Sequence, residues 1–471
     1  MSLERPQDQD IVIVGATGDL ASRKLLPALF NLQLAALLPE KGRIVGCGRT
    51  AMTVEEFRNL AKSALEEFSR SRPSPAQWSA FAERLSYCDT ASNGFEGLAS
   101  RLTQSNRLIY LAIPPSAFAT TVQAIGSAGL VDGTRMIIEK PFGHDLASSR
   151  ELTRSVHAVF DEAQVFRIDH FLGKETVQNI LVFRFGNAIF ERIWNRDSID
   201  HVQFTVAESI GIEERGAFYE ETGALRDILQ NHVFQVLSLL TMEAPASLHC
   251  EAVRDEKSKL FEAMRPLTPN DLVRGQYARS VIDGKTVKGY SEEDGVAADS
   301  DVETYAAVRL FIDNWRWGGV PFYLRTGKRL PRRATEVTVV FRPAPIHLFS
   351  GSGSDGLKPN VLNLCIQPDE TISLQFLAKA PGPEIKVQPV DMQFSYEKSF
   401  TATADEAYER LIHDAMDGDN TLFARADAVD RAWSVVEPVL RDLRPVELYR
   451  AGRWGPEAAN KLIAPHLWHL R

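Results

Sequence analysis

Residues 11–32 read IVIVGATGDLASRKLLPALFNL, and the fold turns on that segment. Ile11, Val12, Ile13 and Val14 form an unbroken apolar, β-branched run. Such a run reads as a strand buried on both faces, as in a parallel sheet. Gly15 and Gly18 then bracket a tight turn, and Leu20, Leu25, Leu29 and Leu32 continue with helical spacing. Strand, glycine turn and helix is the context in which helix-start N–H groups approach a pyrophosphate. The spacing is GxxG rather than GxGxxG, so a generic βα turn accounts for these residues equally well.

Working outward, similar strands are expected at 43–47, 107–113, 135–139 and 164–168. A helical stretch is expected over 54–84, interrupted near 72–75. Strands alternating with helices give a parallel sheet with right-handed crossovers, and ligands of such sheets lie beyond the carboxyl ends of the strands. Arg49, Lys140 and Asp169 fall at such ends. An arginine after the second strand accommodates the 2′-phosphate of NADP, where an acid would bond the free ribose hydroxyl of NAD. Arg49 therefore points to NADP, with NAD as a second coenzyme left open; a surface arginine in a turn is the plain alternative. Pro141 follows Lys140 at a turn that tolerates a cis bond.

The segment 167–174, RIDHFLGK, packs Asp169, His170 and Lys174 into six residues. On a helix His170 and Lys174 share a face, and two cations near a helix start favour a phosphate. Asp169 is placed to cap that helix. An ordinary capped surface helix fits these residues as well.

Beyond Lys174 the pattern changes. A strand is expected at 202–208, and a long helix at 221–242 with the stripe Leu225, Leu229, His232, Val236 and Leu239. A histidine on an apolar stripe is more often a core residue than a catalyst. Asp227 lies five residues before His232, about 140° away round an ideal α-helix. Strands at 305–312, 336–341, 361–367, 371–378 and 387–394 have no crossover helices between them, so this sheet is mostly antiparallel. The stretch 323–333, YLRTGKRLPRR, gathers five basic residues and reads as a solvated basic loop. Residues 343–360, with GSGSDG, read as a disordered loop, and 405–425 and 428–440 as terminal helices.

The chain has 471 residues, room for two to three domains. Its net charge of -9 disfavours nucleic acid and anionic membranes as partners, so an anionic substrate needs locally gathered cations. Cys47, Cys88, Cys250 and Cys365 are scattered, with no CxxC pair. That argues against a disulfide framework or zinc site and fits a reducing compartment. With no signal-peptide core and no bilayer-length apolar run, the cytoplasm is the expected location, and no metal is expected.

The order of GATGDLA, GCGR, EKPFG, RIDHFLGKE, LRDILQNH and LRTGK along the chain resembles the glucose-6-phosphate dehydrogenase family, from Gly15 to about Trp454. The resemblance implies a Rossmann-like α/β coenzyme domain, set at 1–175, and an α+β domain at 176–471 on a large, mostly antiparallel sheet. It implies oxidation of glucose 6-phosphate at C1 with hydride transfer to NADP, in a homodimer or homotetramer. By matching position, His232 is the general base and Asp169 orients it. Lys140 lies between coenzyme and sugar, and His170 and Lys174 bind the 6-phosphate. Glu208, Asp227, Lys328 and Gln367 take sugar hydroxyls, and Arg333 lies near the substrate. Gly15, Ala16, Thr17, Gly18, Asp19, Leu20, Ala21, Ser22 and Arg49 surround the coenzyme. Phe171 and Phe118 stand where members of the family carry tyrosine, and the short C-terminal tail matches no second coenzyme site.

Overall fold

The computed structural model describes residues 4–470, apart from 283, 347, 350–357, 401–405 and 443. Half of the expected 343–360 loop, and Asp405, thus lie outside the described residues. The chain divides into two compact units. The first holds Met1–Glu175 together with Pro245–Glu256 and Ala404–Asp430; the second holds Thr176–Ala244, Lys257–Thr403 and Arg431–Arg471.

In the first unit six parallel strands, β1 (Asp10–Val14), β2 (Ile44–Gly48), β3 (Leu85–Asp89), β4 (Arg107–Leu111), β5 (Thr134–Ile138) and β6 (Val165–Arg167), form one sheet. Their order is β3-β2-β1-β4-β5-β6, which is the doubly wound dinucleotide-binding order. Every residue of β1 and β2 is buried, as their unbroken apolar runs require. β3 was not expected: its sequence LSYCD carries a weak strand signal and follows directly on a helix. The helical stretch divides into Val54–Phe68 and Pro75–Ala82, each entered through a reciprocal capping box, at Thr53/Glu56 and Ser74/Gln77.

The late segment 404–430 is fastened to this unit by buried polar bonds. Glu409, 3% exposed, accepts from Asn31 Nδ2 at 2.8 Å and Arg70 Nη2 at 2.8 Å, while Phe166 meets Phe423 edge-on. Its helix, Ala407–Asp417, is shorter than the expected 405–425, because Gly418 adopts a left-handed φ of 83° and closes it.

In the second unit β7 (Ile199–Ala207), β8 (Leu272–Ala278), β11 (Tyr305–Leu310), β12 (Phe322–Gly327), β13 (Ala334–Phe341), β14 (Val361–Gln367), β15 (Thr371–Lys379), β16 (Val387–Ser395) and β17 (Glu447–Arg450) build a nine-stranded sheet. A two-stranded ribbon, β9 (Ser280–Ile282) and β10 (Lys285–Val287), stands apart from it. The pairings of the nine-stranded sheet are antiparallel except β7 with β12 and β8 with β17.

Two expectations fail here. The supposed basic loop 323–333 begins as β12, every residue of it buried. Arg325 is 1% exposed, with its guanidinium 4.1 Å from the Trp468 ring centre and 5.1 Å from Trp454, so its charge is covered by aromatic faces rather than water. The single helix at 221–242 is three pieces: Gly216–Ala224, broken at Gly223 (φ 64°, ψ 174°), a π-helix Leu225–Val233, and Phe234–Thr241. It is buried on almost every face, so an apolar stripe carried no information about which side faces the core.

Candidate active site

In the first unit, Gly15 has φ 89°, and a Cβ there would stand 2.2 Å from the carbonyl oxygen of Ala112; no other residue fits. The carbonyl of Cys47 accepts from Gly15 N at 2.8 Å and Ala16 N at 3.0 Å, pinning the turn to the end of β2. Thr17, Asp19 and Arg49 are exposed, Gly18, Leu20 and Ser22 are part-exposed, and Ala16 and Ala21 are buried. Asp19 pairs with Arg23 at 2.6 Å, and the chain continues as a π-helix at Ala21–Leu25. A pinned glycine turn opening a helix beside an exposed arginine fits a dinucleotide: backbone meets the pyrophosphate, and a guanidinium is at hand for a 2′-phosphate.

Lys140 follows β5 and precedes a cis bond to Pro141. Asp169 is 4% exposed just past β6, and its Oδ1 accepts from Phe171 N at 2.9 Å. The expected helix over these residues is a turn, since the next helix begins at Glu175. His170 and Lys174 therefore do not share a helix face, and Asp169 caps the 168–174 turn and not the helix. Two following N–H groups and Gly173 favour that turn: a Cβ on Gly173 would meet Ala407 O at 2.6 Å. Lys174 Nζ lies 4.5 Å from the Phe171 ring centre, so phenylalanine still orients the ammonium through its π face. Phe118 is wholly buried in the core of the unit.

Glu139, between β5 and Lys140, was missed. Its carboxyl accepts from Tyr110 at 2.5 Å and from Tyr408 at 3.2 Å. Burial holds its pKa above the usual carboxylate range, against those hydrogen bonds and the nearby Lys140. Tyr408 also lies parallel to the His170 ring, 6.4 Å between centres. EKPFG signals a strand end, but nothing in it names tyrosines hundreds of residues apart.

In the second unit, the registers place four candidates at one end of four adjacent strands. Ala207 of β7 pairs with Gly327 of β12 and Ala334 of β13, and Gln367 ends β14 opposite Thr335. Glu208, Lys328, Arg333 and Gln367 thus come together at the ends of those strands. Lys328, 2% exposed, forms an ion pair with Glu208, and Arg333 Nη2 donates to Gln367 Oε1 at 3.2 Å. Tyr449 donates to the Lys328 carbonyl at 2.6 Å, and Lys328 Nζ sits 5.6 Å from the Tyr219 ring centre.

Asp227 and His232 lie on the π-helix, 7% and 1% exposed, and that helix packs on β7, β11 and β12. A π-helix bonds residue i to i+5, so residues five apart stack along its axis. The 140° separation expected from α-geometry does not apply: Asp227 and His232 share a face.

A second histidine group, Asp200, His201 and His466, was also missed; its candidate ligand atoms lie within 4.8 Å of one another. Gln203 fixes its protons. The Gln203 amide donates to Leu467 O and accepts from His469 N, so its NH₂ faces His201 Nε2. His201 therefore carries its proton on Nδ1 and donates it to Asp200 at 2.7 Å. Burial pushes the His201 pKa down to about 4.

The profile described as "Glucose-6-phosphate dehydrogenase, NAD binding domain" matches residues 12–179, and that for the "Glucose-6-phosphate dehydrogenase, C-terminal domain" matches 181–469. Glucose-6-phosphate 1-dehydrogenase of Aggregatibacter actinomycetemcomitans is 44% identical over 96% of this chain and 95% of its own length. The crystal structure of glucose-6-phosphate 1-dehydrogenase from Mycobacterium avium superposes with a TM-score of 0.88 at 39% identity, covering 99% of both chains. A glucose-6-phosphate dehydrogenase in complex with its substrate glucose-6-phosphate superposes with a TM-score of 0.89 at 34% identity, over the whole of both chains. With both family domains matched in sequence order and the fold shared end to end, the chain belongs to the glucose-6-phosphate dehydrogenase family.

Proposed function

We propose that this chain oxidises β-D-glucose 6-phosphate at C1 to 6-phospho-D-glucono-1,5-lactone, with NADP as hydride acceptor. The observation that carries the reading is His232: an imidazole 1% exposed, on a π-helix that packs on the strands leading to Glu208 and Lys328. The relative of known structure that holds glucose 6-phosphate as its substrate shares this fold over its full length.

In this reading His232 takes the proton of the C1 hydroxyl. Histidine suits the role because its ordinary pKa lies near working pH. Asp169 orients the imidazole and stabilises the imidazolium, as a carboxylate does in a triad. Lys174 and His170 hold the 6-phosphate as an anchor. Glu208, Asp227, Lys328 and Gln367 take the sugar hydroxyls, with Arg333 beside them. Lys140 stands between coenzyme and sugar. Gly15 to Ser22 present backbone to the pyrophosphate, and Arg49 takes the 2′-phosphate. When bound, the coenzyme supplies the hydride-accepting carbon; the protein supplies position and the proton acceptor.

The chain acts in the cytoplasm as a homodimer or homotetramer. No helix among the described residues is long and apolar enough to cross a membrane. β16 leaves Val390 and Met392 exposed, apolar surface that supports pairing with a second copy.

Reduction of NADP followed by absorbance tests the whole reading. Turnover with glucose 6-phosphate supports it. Turnover only with another hexose phosphate assigns the same chemistry to a different sugar. Absence of turnover with either coenzyme favours a catalytically silent, coenzyme-binding regulator.

A further inference from the structure

The parallel register of β2 and β3 sets Cys47 opposite Cys88. Side chains opposite one another on adjacent strands point to the same face. Both thiols are buried, at 0% and 2% exposure. Strands about 4.7–4.9 Å apart fall inside the Cα separation of about 4.4–6.8 Å that a disulfide spans. The Cβ atoms of a disulfide lie closer, at about 3.5–4.5 Å, so closing the bond must draw the two strand ends together.

Those strand ends carry the coenzyme residues. The Cys47 carbonyl holds the N–H groups of Gly15 and Ala16, and Gly48 and Arg49 follow it directly. Tyr87 on the neighbouring strand donates to Thr50 O at 2.8 Å, and Thr90, just past that strand, donates to Gly48 O at 3.0 Å. Any shift of Cys47 toward Cys88 therefore moves both the glycine turn and the arginine loop.

We propose that Cys47 and Cys88 are a reversible thiol–disulfide pair, oxidised by peroxide, whose closure weakens coenzyme binding. The second half of this statement rests on the coenzyme assignment made above. Burial favours a small two-electron oxidant over a protein disulfide. Cys88 is the attacking sulfur: the neighbouring Cys47 thiol, aided by Arg101, brings its pKa down to about 7, against the opposing effect of burial, while Cys47 is held well above the ordinary thiol value. The Cys88 thiolate attacks one oxygen of hydrogen peroxide; an S–O bond forms, the O–O bond breaks, and hydroxide leaves with its electron pair. The Cys47 sulfur, giving up its proton, then attacks the Cys88 sulfenic acid; an S–S bond forms, the S–O bond breaks, and oxygen leaves as water. Two thiols and one peroxide become one disulfide and two waters. A dithiol reverses it by exchange.

The test uses the intact wild-type protein, titrated with hydrogen peroxide. Peptide mapping should show one cross-link, Cys47 to Cys88, with the mass of two hydrogens lost and the titratable thiols falling from four to two. The Kd for NADP should rise at least about fivefold, that for glucose 6-phosphate should stay within about twofold, and dithiothreitol should restore both. Cys88→Ala and Cys47→Ala should each abolish the peroxide response of coenzyme affinity. Oxidation of Cys88 to sulfinic acid without a cross-link overturns the proposal, as does a cross-link that leaves coenzyme affinity unchanged. Failure of the coenzyme assignment itself shows separately: Arg49→Ala in fully reduced protein would then bind NADP as well as wild type does.

Discussion

The glycine turn draws on consecutive residues, Gly15 to Ser22, whereas the second unit gathers Glu208, Lys328, Arg333 and Gln367 from four strands. The first is governed by backbone: a φ of 89° at Gly15 and two N–H groups on the Cys47 carbonyl. The second is governed by register, since a one-residue slip of β12 or β13 would remove Lys328 or Arg333 from its partners. A backbone site tolerates changes of side chain and fails on a change at glycine. A register site suffers most when a buried charge is removed, because the partner stays behind in a drier place.

The steepest loss of activity is expected at His232. His232→Asn is expected to lower kcat by about 10²–10⁴-fold, the usual contribution of a positioned base, with both Kd values within a few-fold. Asp169→Asn should also lower kcat, and the double variant should be little worse than His232→Asn alone, because residues acting as a unit are not additive. If His232 is only a core histidine, His232→Asn will instead lower the melting temperature and leave kcat per folded molecule intact. Measuring kcat and Tm on one preparation separates the two.

Lys174→Ala should raise KM for glucose 6-phosphate by about 10–100-fold, the worth of a charge-assisted contact, with KM for NADP little changed. Equal loss of affinity for glucose and glucose 6-phosphate would refute its phosphate role.

On the coenzyme side, Arg49→Ala should weaken NADP by about tenfold and leave NAD nearly unchanged, because only NADP carries the 2′-phosphate. A wild-type preference for NAD would show that Arg49 has been misread.

Lys328→Ala tests register directly. Its partner Glu208 has a side chain 31% exposed, so the loss should fall below the roughly 3–5 kcal/mol of a fully buried broken pair. A drop of a few degrees in Tm is expected, while Arg333→Ala, on an exposed bond to Gln367, should leave Tm within about a degree. Equal Tm for both variants would mean that burial does not distinguish the two contacts.

The smallest effect concerns pH. Folded His201 has a pKa near 4, below its ordinary value of about 6.5, so the unfolded chain binds its proton first as pH falls. Its contribution to stability is full above about pH 6.5 and is lost progressively down to about pH 4. His201→Gln should flatten the Tm-against-pH curve in that window; an unchanged slope would assign acid sensitivity elsewhere.

Sequence was most informative where chemistry is local. The runs IVIV and RLIYL, each closed by a turn, dictated a parallel sheet, because consecutive β-branched and apolar residues have no face to give to water. The glycine turn and the strand-end positions of Lys140 and Asp169 followed from the same logic. The antiparallel strands at 305–312 and 361–367 were legible from their own apolar content. Tertiary structure decided the rest, wherever burial overrides periodicity. The 221–242 helix is enclosed on nearly all sides, so its stripe was uninformative, and only its π-helical hydrogen bonding put Asp227 and His232 on one face. YLRTGKRLPRR looked like a solvated loop because aromatic cover for Arg325, from Trp454 and Trp468, comes from far along the chain. The Glu139–Tyr408 bond and the Cys47–Cys88 pair are of the same kind. Each joins residues whose nearness is set by strand order and packing, and one-dimensional spacing carries no trace of it.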